Sequence, residues 1–253
     1  MGCCLTGAMR RHRSLCNYNF SMCGRYRLKH VERLAERFEA IYCGNNEEIV
    51  PRYNIAPTQP IPVIRATESG REITSIRWGL IPSWVKDTSA ARINSRSETV
   101  VEKPAFRESF ERRRCLIPAD GFYEWVRSGK LKQPFHFGMK DGSLFAFAGI
   151  WDRWKPPTGP LVESCAILTT SPNELLRDVH DRMPVILRPE HYSMWLNAPT
   201  SASGRLADIL LPYDAGAMRR FPVSECVNDP ANETPDCLIE TAELIPAQHT
   251  LFR

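Results

Sequence analysis

The chain has 253 residues, of which 43 % are hydrophobic and 25 % are charged, and its net charge is +4 at pH 7. This composition is ordinary for a soluble globular protein with a buried core, and the length fits one large domain or two small ones. No apolar run approaches the ~18 residues that a membrane span needs, which excludes a membrane-spanning helix.

The arginine and cysteine content indicates which kind of partner and which cellular compartment suit the protein. The 33 basic residues comprise 26 Arg and 7 Lys. Arg binds phosphate oxygens in a bidentate manner, so the bias favours anionic partners, although GC-rich coding would produce the same bias. The nine cysteines show no C-x-x-C spacing. They therefore predict neither a zinc site nor a disulfide framework, and a reducing, intracellular compartment fits them best.

Residues 1–21 differ from the rest of the chain. They contain the basic run Arg10-Arg11-His12-Arg13 and show no helical or strand periodicity. We interpret them as an extension that is disordered or begins at a wrongly assigned upstream start codon. The alternative is a lipid anchor, because Met1-Gly2-Cys3-Cys4-Leu5-Thr6 matches the N-myristoylation pattern. We expect one domain over residues 22–245 and a short tail over 246–253.

The motif Met22-Cys23-Gly24 follows the extension. If translation began at Met22, removal of that Met would leave Cys23 with a free α-amine beside its thiol. Such a 1,2-aminothiol reacts with an aldehyde to form first an imine and then a thiazolidine ring. The α-amine titrates near ~8 and Lys near ~10.4, so more of the α-amine is nucleophilic at neutral pH. Cys23 is therefore a candidate nucleophile only when it is the first residue.

The remaining elements alternate between short strands and short helices. Apolar periodicity predicts helices over 31–38, 104–114, 189–196 and 204–211, and a short capped helix over 171–179. Strands are predicted over 62–65, 73–81, 114–118, 121–125, 134–139, 144–151, 165–170 and 185–187, with extended structure over 221–228. A proline-rich loop is predicted over 51–60, and a hairpin turn over 140–143. The pattern favours one α+β domain with a barrel-like or sandwiched core of mostly antiparallel strands and peripheral helices.

Glu124 lies in the aromatic strand Gly121-Phe122-Tyr123-Glu124-Trp125. Alternation places Phe122 and Glu124 on one face and Tyr123 and Trp125 on the other. A carboxylate on an apolar face is costly unless it is satisfied. Two interpretations remain open: a structural partner such as a buried Arg, or an acid/base group with a raised pKa.

Six motifs occur in one order along the chain. They are Met22-Cys23-Gly24-Arg25-Tyr26, Arg52-Tyr53-Asn54-Ile55-Ala56-Pro57, Arg77-Trp78-Gly79-Leu80-Ile81-Pro82-Ser83-Trp84, Asn94-Ser95-Arg96-Ser97-Glu98-Thr99, Gly121-Phe122-Tyr123-Glu124-Trp125 and His180-Asp181-Arg182-Met183-Pro184. In this order they resemble the SRAP (SOS-response-associated peptidase) family, from Met22 to about Ile245. The family's proteins crosslink abasic sites in single-stranded DNA.

The resemblance implies a covalent role for four residues. Cys23 would form a thiazolidine with the open-chain aldehyde of the abasic sugar. Glu124 would shuttle protons, His180 would position or protonate the sugar hydroxyl, and Asn94 would orient the lesion and the Cys23 backbone. The crosslink would shield the lesion from strand cleavage and error-prone bypass, and its formation would need no metal and no organic cofactor.

The resemblance also implies a DNA-binding surface. Arg25, Arg96 and Arg182 would hold the phosphates that flank the lesion. Pro57 and Trp84 would stack on neighbouring bases, although Val85 or Trp78 could be the platform instead of Trp84.

Two other functions remain open. Cys23, His180 and Glu124 could form the thiol–imidazole–carboxylate set of a peptidase that removes residues 1–22. Alternatively, the Arg and aromatic residues could form a non-covalent module that binds single-stranded or modified DNA. The expected partner in the favoured reading is single-stranded DNA with abasic sites, and the expected state is a monomer away from membranes. The expected location is the nucleoid of a bacterial cytoplasm, or the nucleus of a eukaryote.

Overall fold

The computed structural model describes residues 23–44, 49–199 and 203–244. Within these ranges no helix is long and apolar enough to cross a membrane. The strands are β1 Tyr26–Leu28, β2 Ala40–Tyr42, β3 Arg52–Ile55, β4 Pro60–Thr67, β5 Gly70–Trp78, β6 Asn94–Arg96, β7 Arg114–Ala119, β8 Gly121–Ser128, β9 Leu131–Met139, β10 Phe145–Trp154, β11 Val162–Thr170, β12 Met183–Pro184, β13 Ile186–Leu187 and β14 Met218–Pro222. The α-helices are α1 Leu34–Phe38, α2 Pro104–Arg112, α3 Tyr192–Asn197 and α4 Ser203–Ala207. The predicted extension with its lipid-anchor motif and the predicted tail over 246–253 lie outside the described residues.

Five strands form a closed barrel. β5, β4, β7, β10 and β11 are neighbours in that order, and β11 pairs back onto β5 in parallel, at Ser164↔Arg77 and Cys165↔Trp78. Closure removes the free edges that an open sheet would expose. The strands β2, β6, β12 and β13 extend the barrel at its rim. Most pairings are antiparallel, and the helices are short and lie outside the strands, so the predicted α+β class with a barrel-like core is confirmed.

A second sheet covers the barrel. Its strand order is β14-β9-β8-β1-β3, and all its pairings are antiparallel. One face buries Tyr26 against Trp78 and Phe147, with ring centroids 5.4 and 5.8 Å apart. Phe122 stacks on Phe137 in the same layer, at 5.2 Å. Because fully buried aromatic rings dominate core energetics, this layer holds β1 firmly, and the backbone just before β1 is held with it.

The predicted hairpin over 140–143 is wrong. A turn does form there, with Gly142 at φ +70°, where glycine has no steric cost. The strands on either side do not pair, because β9 belongs to the second sheet and β10 to the barrel. The turn therefore connects two sheets, and only the long-range pairing of each strand distinguishes this arrangement from a hairpin.

Two further predictions are corrected. Residues 52–55, predicted as part of a loop, form β3, which pairs with β1 at Tyr26↔Ile55 and Leu28↔Arg52. The predicted helix over 171–179 is a series of turns, although Asn173 caps it as expected: its Oδ1 accepts from the backbone N–H groups of Leu175 and Leu176, at 3.1 and 3.2 Å. The segments predicted as helices over 31–38 and 189–196 each begin with one 3-10 turn.

Gly121 is expected to tolerate no side chain. A Cβ at this position would lie 1.9 Å from Nε2 of His136, a ring that is buried between Tyr123 and Phe221 and cannot swing away. We expect Gly121→Ala to lower the free energy of unfolding by about 1–3 kcal/mol, measured by urea titration. Gly204→Ala is the matched control, because a Cβ in α4 meets nothing within 4 Å. Equal stability of the two variants would contradict this packing.

Candidate active site

The pairing of β1 with β8 brings Cys23 to Glu124. The register is Tyr26↔Phe122, and the backbone N–H of Tyr123 donates to the carbonyl of Arg25 at 3.0 Å. Continuing this antiparallel register sets Glu124 beside the residues that precede β1. Cys23 and Glu124 are both buried, at 3 % and 4 % exposed.

Burial governs the protonation of this pair. It raises the pKa of Glu124 to about 7, although the nearby His180 and a hydrogen bond with Cys23 oppose the increase. It also raises the pKa of the Cys23 thiol well above its ordinary value, and the Glu124 carboxylate adds to that increase. Within the described residues no Arg pairs with Glu124 and its Oε1 has no partner, which favours the raised-pKa carboxyl over a structural ion pair. Such a carboxyl can both accept and donate a proton at neutral pH.

The buried carboxyl has a measurable effect on stability. Its folded pKa lies above the value of ~4.3 for an unfolded Glu, so the native state loses stability as pH rises from about 4.3 to 7. Glu124→Gln removes this loss, and we expect the variant to gain up to about 3 kcal/mol relative to the original chain between pH 5 and pH 8. Urea midpoints at the two pH values measure the gain. A difference between the proteins that does not change with pH would contradict the raised pKa.

Asn94 holds the Cys23 backbone from the barrel side. β6 pairs in parallel with β11, at Ile167↔Asn94, so Asn94 belongs to a strand of the barrel side. Asn94 Nδ2 donates to the Cys23 carbonyl at 3.1 Å. Its Oδ1 is buried without a partner in the described part of the chain. An unsatisfied buried acceptor at this point can receive a hydrogen bond from an amine or a ligand hydroxyl.

His180 joins the site from the turns that follow Asn173. The backbone N–H of Arg182 lies 3.0 Å from His180 Nδ1. In the neutral ring this bond makes Nδ1 an acceptor, so the proton resides on Nε2. Asp181 Oδ1 lies 3.1 Å from the same nitrogen, so Nδ1 lies between the Arg182 N–H and the Asp181 carboxylate.

A cavity of about 440 Å³ opens beside Glu124. His180 and Arg25 line it, as do three residues that sequence reasoning missed: Trp125, Arg127 and Lys132. Lys132 Nζ lies 4.7 Å from the Trp125 ring centroid, and the Arg25 guanidinium carbon lies 5.8 Å from it. The register pairs Arg127 with Lys132 directly. Alternation places Trp125 and Arg127 on the face opposite Glu124, so no local signal in the sequence connects them with that carboxyl.

A second cavity, of about 340 Å³, lies on the Asn94 side. It is lined by Arg92, Arg96, Lys103 and Trp84 together with Asn94. Trp84 is 67 % exposed. Cys23, Asn94 and Glu124 thus lie between two cavities whose walls carry cations and an accessible tryptophan. Phosphate groups and unstacked bases fit such walls.

Two predicted DNA contacts are corrected. Trp78 is completely buried, and its Nε1 donates to the carbonyl of Ile93 at 3.0 Å, so it cannot stack on a base. The fork of Arg182 is occupied: Nη1 and Nη2 donate to the two carboxylate oxygens of Glu98, each at 2.7 Å, and Nη2 also donates to the Thr169 carbonyl. The carboxylate of Glu98 therefore neutralises the charge of Arg182, which lines neither cavity, whereas Arg25 bonds to neutral acceptors at a cavity wall.

The other predicted contacts lie closer to the site. Arg25 lines the first cavity, and Arg96 and Trp84 line the second. Pro57 is half-buried in the turn between β3 and β4 and lines neither cavity. Val85 is half-buried and packs against a small cluster that includes Trp154. Within the described ranges, no three His, Cys, Asp or Glu side chains come together as metal ligands would.

The sequence of residues 22–230 matches the profile of one family, described as SOS response associated peptidase (SRAP). The chain belongs to the SRAP family. It is 44 % identical over 224 residues to the abasic site processing protein YoqW of Bacillus subtilis, covering 87 % of this chain and 100 % of that protein. It is also 33 % identical over 233 residues to the abasic site processing protein HMCES of Rattus norvegicus, covering 76 % of this chain and 65 % of that protein.

Solved structures of similar fold agree with this assignment. A Bacteroides thetaiotaomicron protein superposes with a TM-score of 0.70 at 28 % identity, covering 88 % of this chain and 98 % of that one. A Bordetella bronchiseptica protein superposes with a TM-score of 0.67 at 31 % identity, covering 80 % and 100 % respectively. The barrel with its second sheet is therefore the architecture of SRAP proteins.

Proposed function

We propose that this SRAP protein senses abasic sites in single-stranded DNA and captures them covalently through Cys23. The observation that carries the proposal is the buried pair of Cys23 and Glu124, with Glu124 near neutral pKa, between two cavities with cationic walls. The abasic-site names of its relatives support the substrate. Capture requires that residues 1–22 are removed, because the α-nitrogen of Cys23 is otherwise bonded to Met22.

The chemistry balances with the loss of one water molecule. The α-amine of Cys23 adds to the sugar aldehyde, and the carbinolamine loses its hydroxyl as water to give an imine. The thiol then adds to the imine carbon, its proton passes to the nitrogen, and a thiazolidine closes. Glu124 supplies the proton for the departing hydroxyl and, once ionised, takes the thiol proton. Asn94 fixes the Cys23 carbonyl, which holds the amine and thiol against the aldehyde.

The DNA path follows the two cavities. Arg25, Arg127 and Lys132 lie on one side of Cys23, and Arg96 lies on the other, together with Trp84. We propose that these cations bind the phosphates on either side of the lesion, while Trp84 stacks on a base. His180 contacts the sugar hydroxyl. Binding of this type tolerates any flanking sequence, as a damage sensor requires.

A second activity is favoured by the position of the thiol. The thiol of Cys23 adjoins the Met22–Cys23 peptide bond. The Glu124 carboxyl hydrogen-bonds to that thiol, as a general base would. Attack of the thiol on the Met22 carbonyl, followed by hydrolysis, would release residues 1–22 and free the α-amine. Intact mass of the purified full-length chain over time tests this self-processing, with Glu124→Gln as the control; a mass that never changes contradicts it.

The crosslinking function is tested with a chain whose translation starts at Met22, so that removal of this Met exposes Cys23 as the first residue. We expect a product that survives heating in denaturant when the chain is mixed with abasic single-stranded DNA. Its mass should equal that of protein plus DNA minus one water. The same DNA carrying a tetrahydrofuran in place of the abasic sugar has no aldehyde and is the control. Salt-sensitive binding to both DNAs without a covalent product would contradict capture and favour a non-covalent binding module.

A further inference from the structure

Asn54 in β3 is the centre of a buried hydrogen-bond network behind the first cavity. Its side chain is completely buried. Its Nδ2 donates to the carbonyls of Asp229 and Asn232, both at 2.9 Å, and of Val227 at 3.3 Å. Its Oδ1 accepts from Arg25 Nη1 at 2.7 Å. Only an amide side chain offers donors to the carbonyls and an acceptor to the guanidinium at once, so Asn is the residue type that this network needs.

The segment held by Asn54, residues 227–232, also contacts the cavity wall. The carbonyl of Val227 accepts from Arg25 Nη1 at 2.8 Å, and the carbonyl of Asn228 accepts from Nη2 at 3.4 Å. The side chain of Asn228 accepts from Trp125 Nε1 at 2.6 Å. Both wall residues are therefore oriented by this segment as well as by their own strands.

Glu233 fastens the same segment to β3. Its Oε2 accepts from the backbone N–H groups of Tyr53 and Asn54, at 3.0 and 3.2 Å. Its Oε1 accepts from the guanidinium of Arg52, with Arg52 Nε at 2.9 Å. The sequence Arg52-Tyr53-Asn54 thus binds residues 227–233 through side chain and backbone together. This accounts for a motif to which the capture chemistry assigns no role.

The geometry of Arg25 shows what the network achieves. Its bonds to Asn54, Val227 and Asn228 use three of the five guanidinium hydrogens, which leaves Nε–H and one Nη2–H for an anion in the cavity. A free Arg side chain samples many rotamers and loses that freedom when it binds a phosphate. Here the loss has already occurred in the folded protein, so a phosphate meets a pre-oriented donor.

We propose that Asn54 is a positioning residue for DNA capture, acting through Arg25 and through residues 227–232 on Trp125. This proposal rests on the proposed function and deepens it, because it assigns the recognition of the DNA backbone on one side of the lesion to a buried network. Asn54 touches neither the DNA nor Cys23. Its loss is therefore expected to weaken binding of the DNA and to leave the chemical step intact.

Two substitutions test the network from different sides. Asn54→Asp keeps the acceptor for Arg25 but loses the donors to three carbonyls. Asn228→Leu removes the acceptor of Trp125 at a half-buried position where folding is less at risk, and Asn228→Asp restores an acceptor. In each impaired variant we expect the concentration of abasic single-stranded DNA at half-maximal crosslinking rate to rise roughly tenfold, with the maximal rate changed less than about twofold. For Asn54→Asp the salt dependence of binding should lose about one phosphate contact.

Phe110→Leu is the control for lost stability, because Phe110 packs on Trp195 and outside both cavities. The indole N–H resonance of Trp125, assigned with Trp125→Phe, should shift in Asn54→Asp and Asn228→Leu, and return with Asn228→Asp. An unchanged half-saturating concentration, an unchanged resonance, or a fall in maximal rate equal to that of Phe110→Leu would overturn the proposal. If the unsubstituted chain forms no crosslink, the proposed function fails. The Trp125 indole resonance and the salt dependence of DNA binding then still test whether Asn54 positions Trp125 and Arg25.

Discussion

Replacing Cys23 with alanine is expected to abolish the heat-stable crosslink to abasic DNA. In a chain that starts at Met22, trimming of the Met still leaves an α-amine at position 23, so a reversible imine can form. No thiol then closes the ring. We expect the yield of heat-stable product to fall at least roughly 100-fold, because an oriented intramolecular nucleophile is worth an effective concentration on the order of 10⁵ M and nothing replaces it.

Cys23→Ser tests whether the thiol itself is required or whether any nucleophilic side chain at this position suffices. A hydroxyl closes a much less stable ring, so this variant should bind abasic DNA like the original chain and yield a product that heating reverses. Denaturing gels before and after heating, with borohydride reduction to trap any imine, measure both species. A heat-stable product from Cys23→Ser at the original yield would contradict the thiazolidine.

Glu124→Gln is expected to slow crosslinking by about 10²-fold or more, the usual contribution of a positioned acid–base group. Glutamine keeps the size of the side chain but neither donates nor accepts a proton in the reaction. The pH dependence of the crosslinking rate is a more specific test than the rate at a single pH. Because burial raises the pKa of Glu124 to about 7, and the protonated form supplies the proton that releases the carbinolamine hydroxyl, the Glu124 contribution to the rate should fall as pH rises through about 7.

The variant should lose that inflection and retain only the one near ~8 that belongs to the α-amine. Single-turnover rates between pH 5.5 and 9 at saturating DNA measure both profiles, and salt-sensitive binding of the DNA should be almost unchanged in the variant. A parallel loss of binding and rate would make Glu124 a structural residue. An inflection near 7 that persists in Glu124→Gln would assign it to another group.

The environment of Glu124 was partly predictable from local sequence. The alternation of Phe122, Tyr123 and Glu124 determined which residues share a face, and the structure has Phe122 in the main core and Tyr123 in a separate cluster. A carboxyl among aromatics allowed two interpretations, an ion pair or a raised pKa. Only the tertiary structure distinguishes them, because it shows which side chains approach the carboxyl.

The DNA-binding residues were less predictable, because an arginine in a motif can serve a ligand or the fold. Arg25 lines a cavity and Arg96 is exposed at another, whereas Arg182 is bound to Glu98. These three differ in their partners, which lie up to 203 residues away for Arg25 and 84 for Arg182. Short-range spacing carries no information about such partners.

The same limit explains the errors in the fold. Pro57 and Pro60 correctly predict a turn. The strand at Arg52–Ile55 was missed because it forms only through its pairing with β1. The sequence leaves Trp78 open as a base-stacking platform, yet the closure of β5 onto β11 buries it. Turn chemistry is local, whereas the sheet that a strand joins is decided by distant segments.

The central claim is that the free α-amine of Cys23 is one of the two nucleophiles. The most direct test compares a protein that begins at Cys23 with the full-length chain, verified by intact mass to retain residues 1–22, each mixed with abasic single-stranded DNA. We predict that only the protein beginning at Cys23 gains the mass of the DNA minus one water. The same heat-stable product from protein that still carries residues 1–22 would contradict the claim.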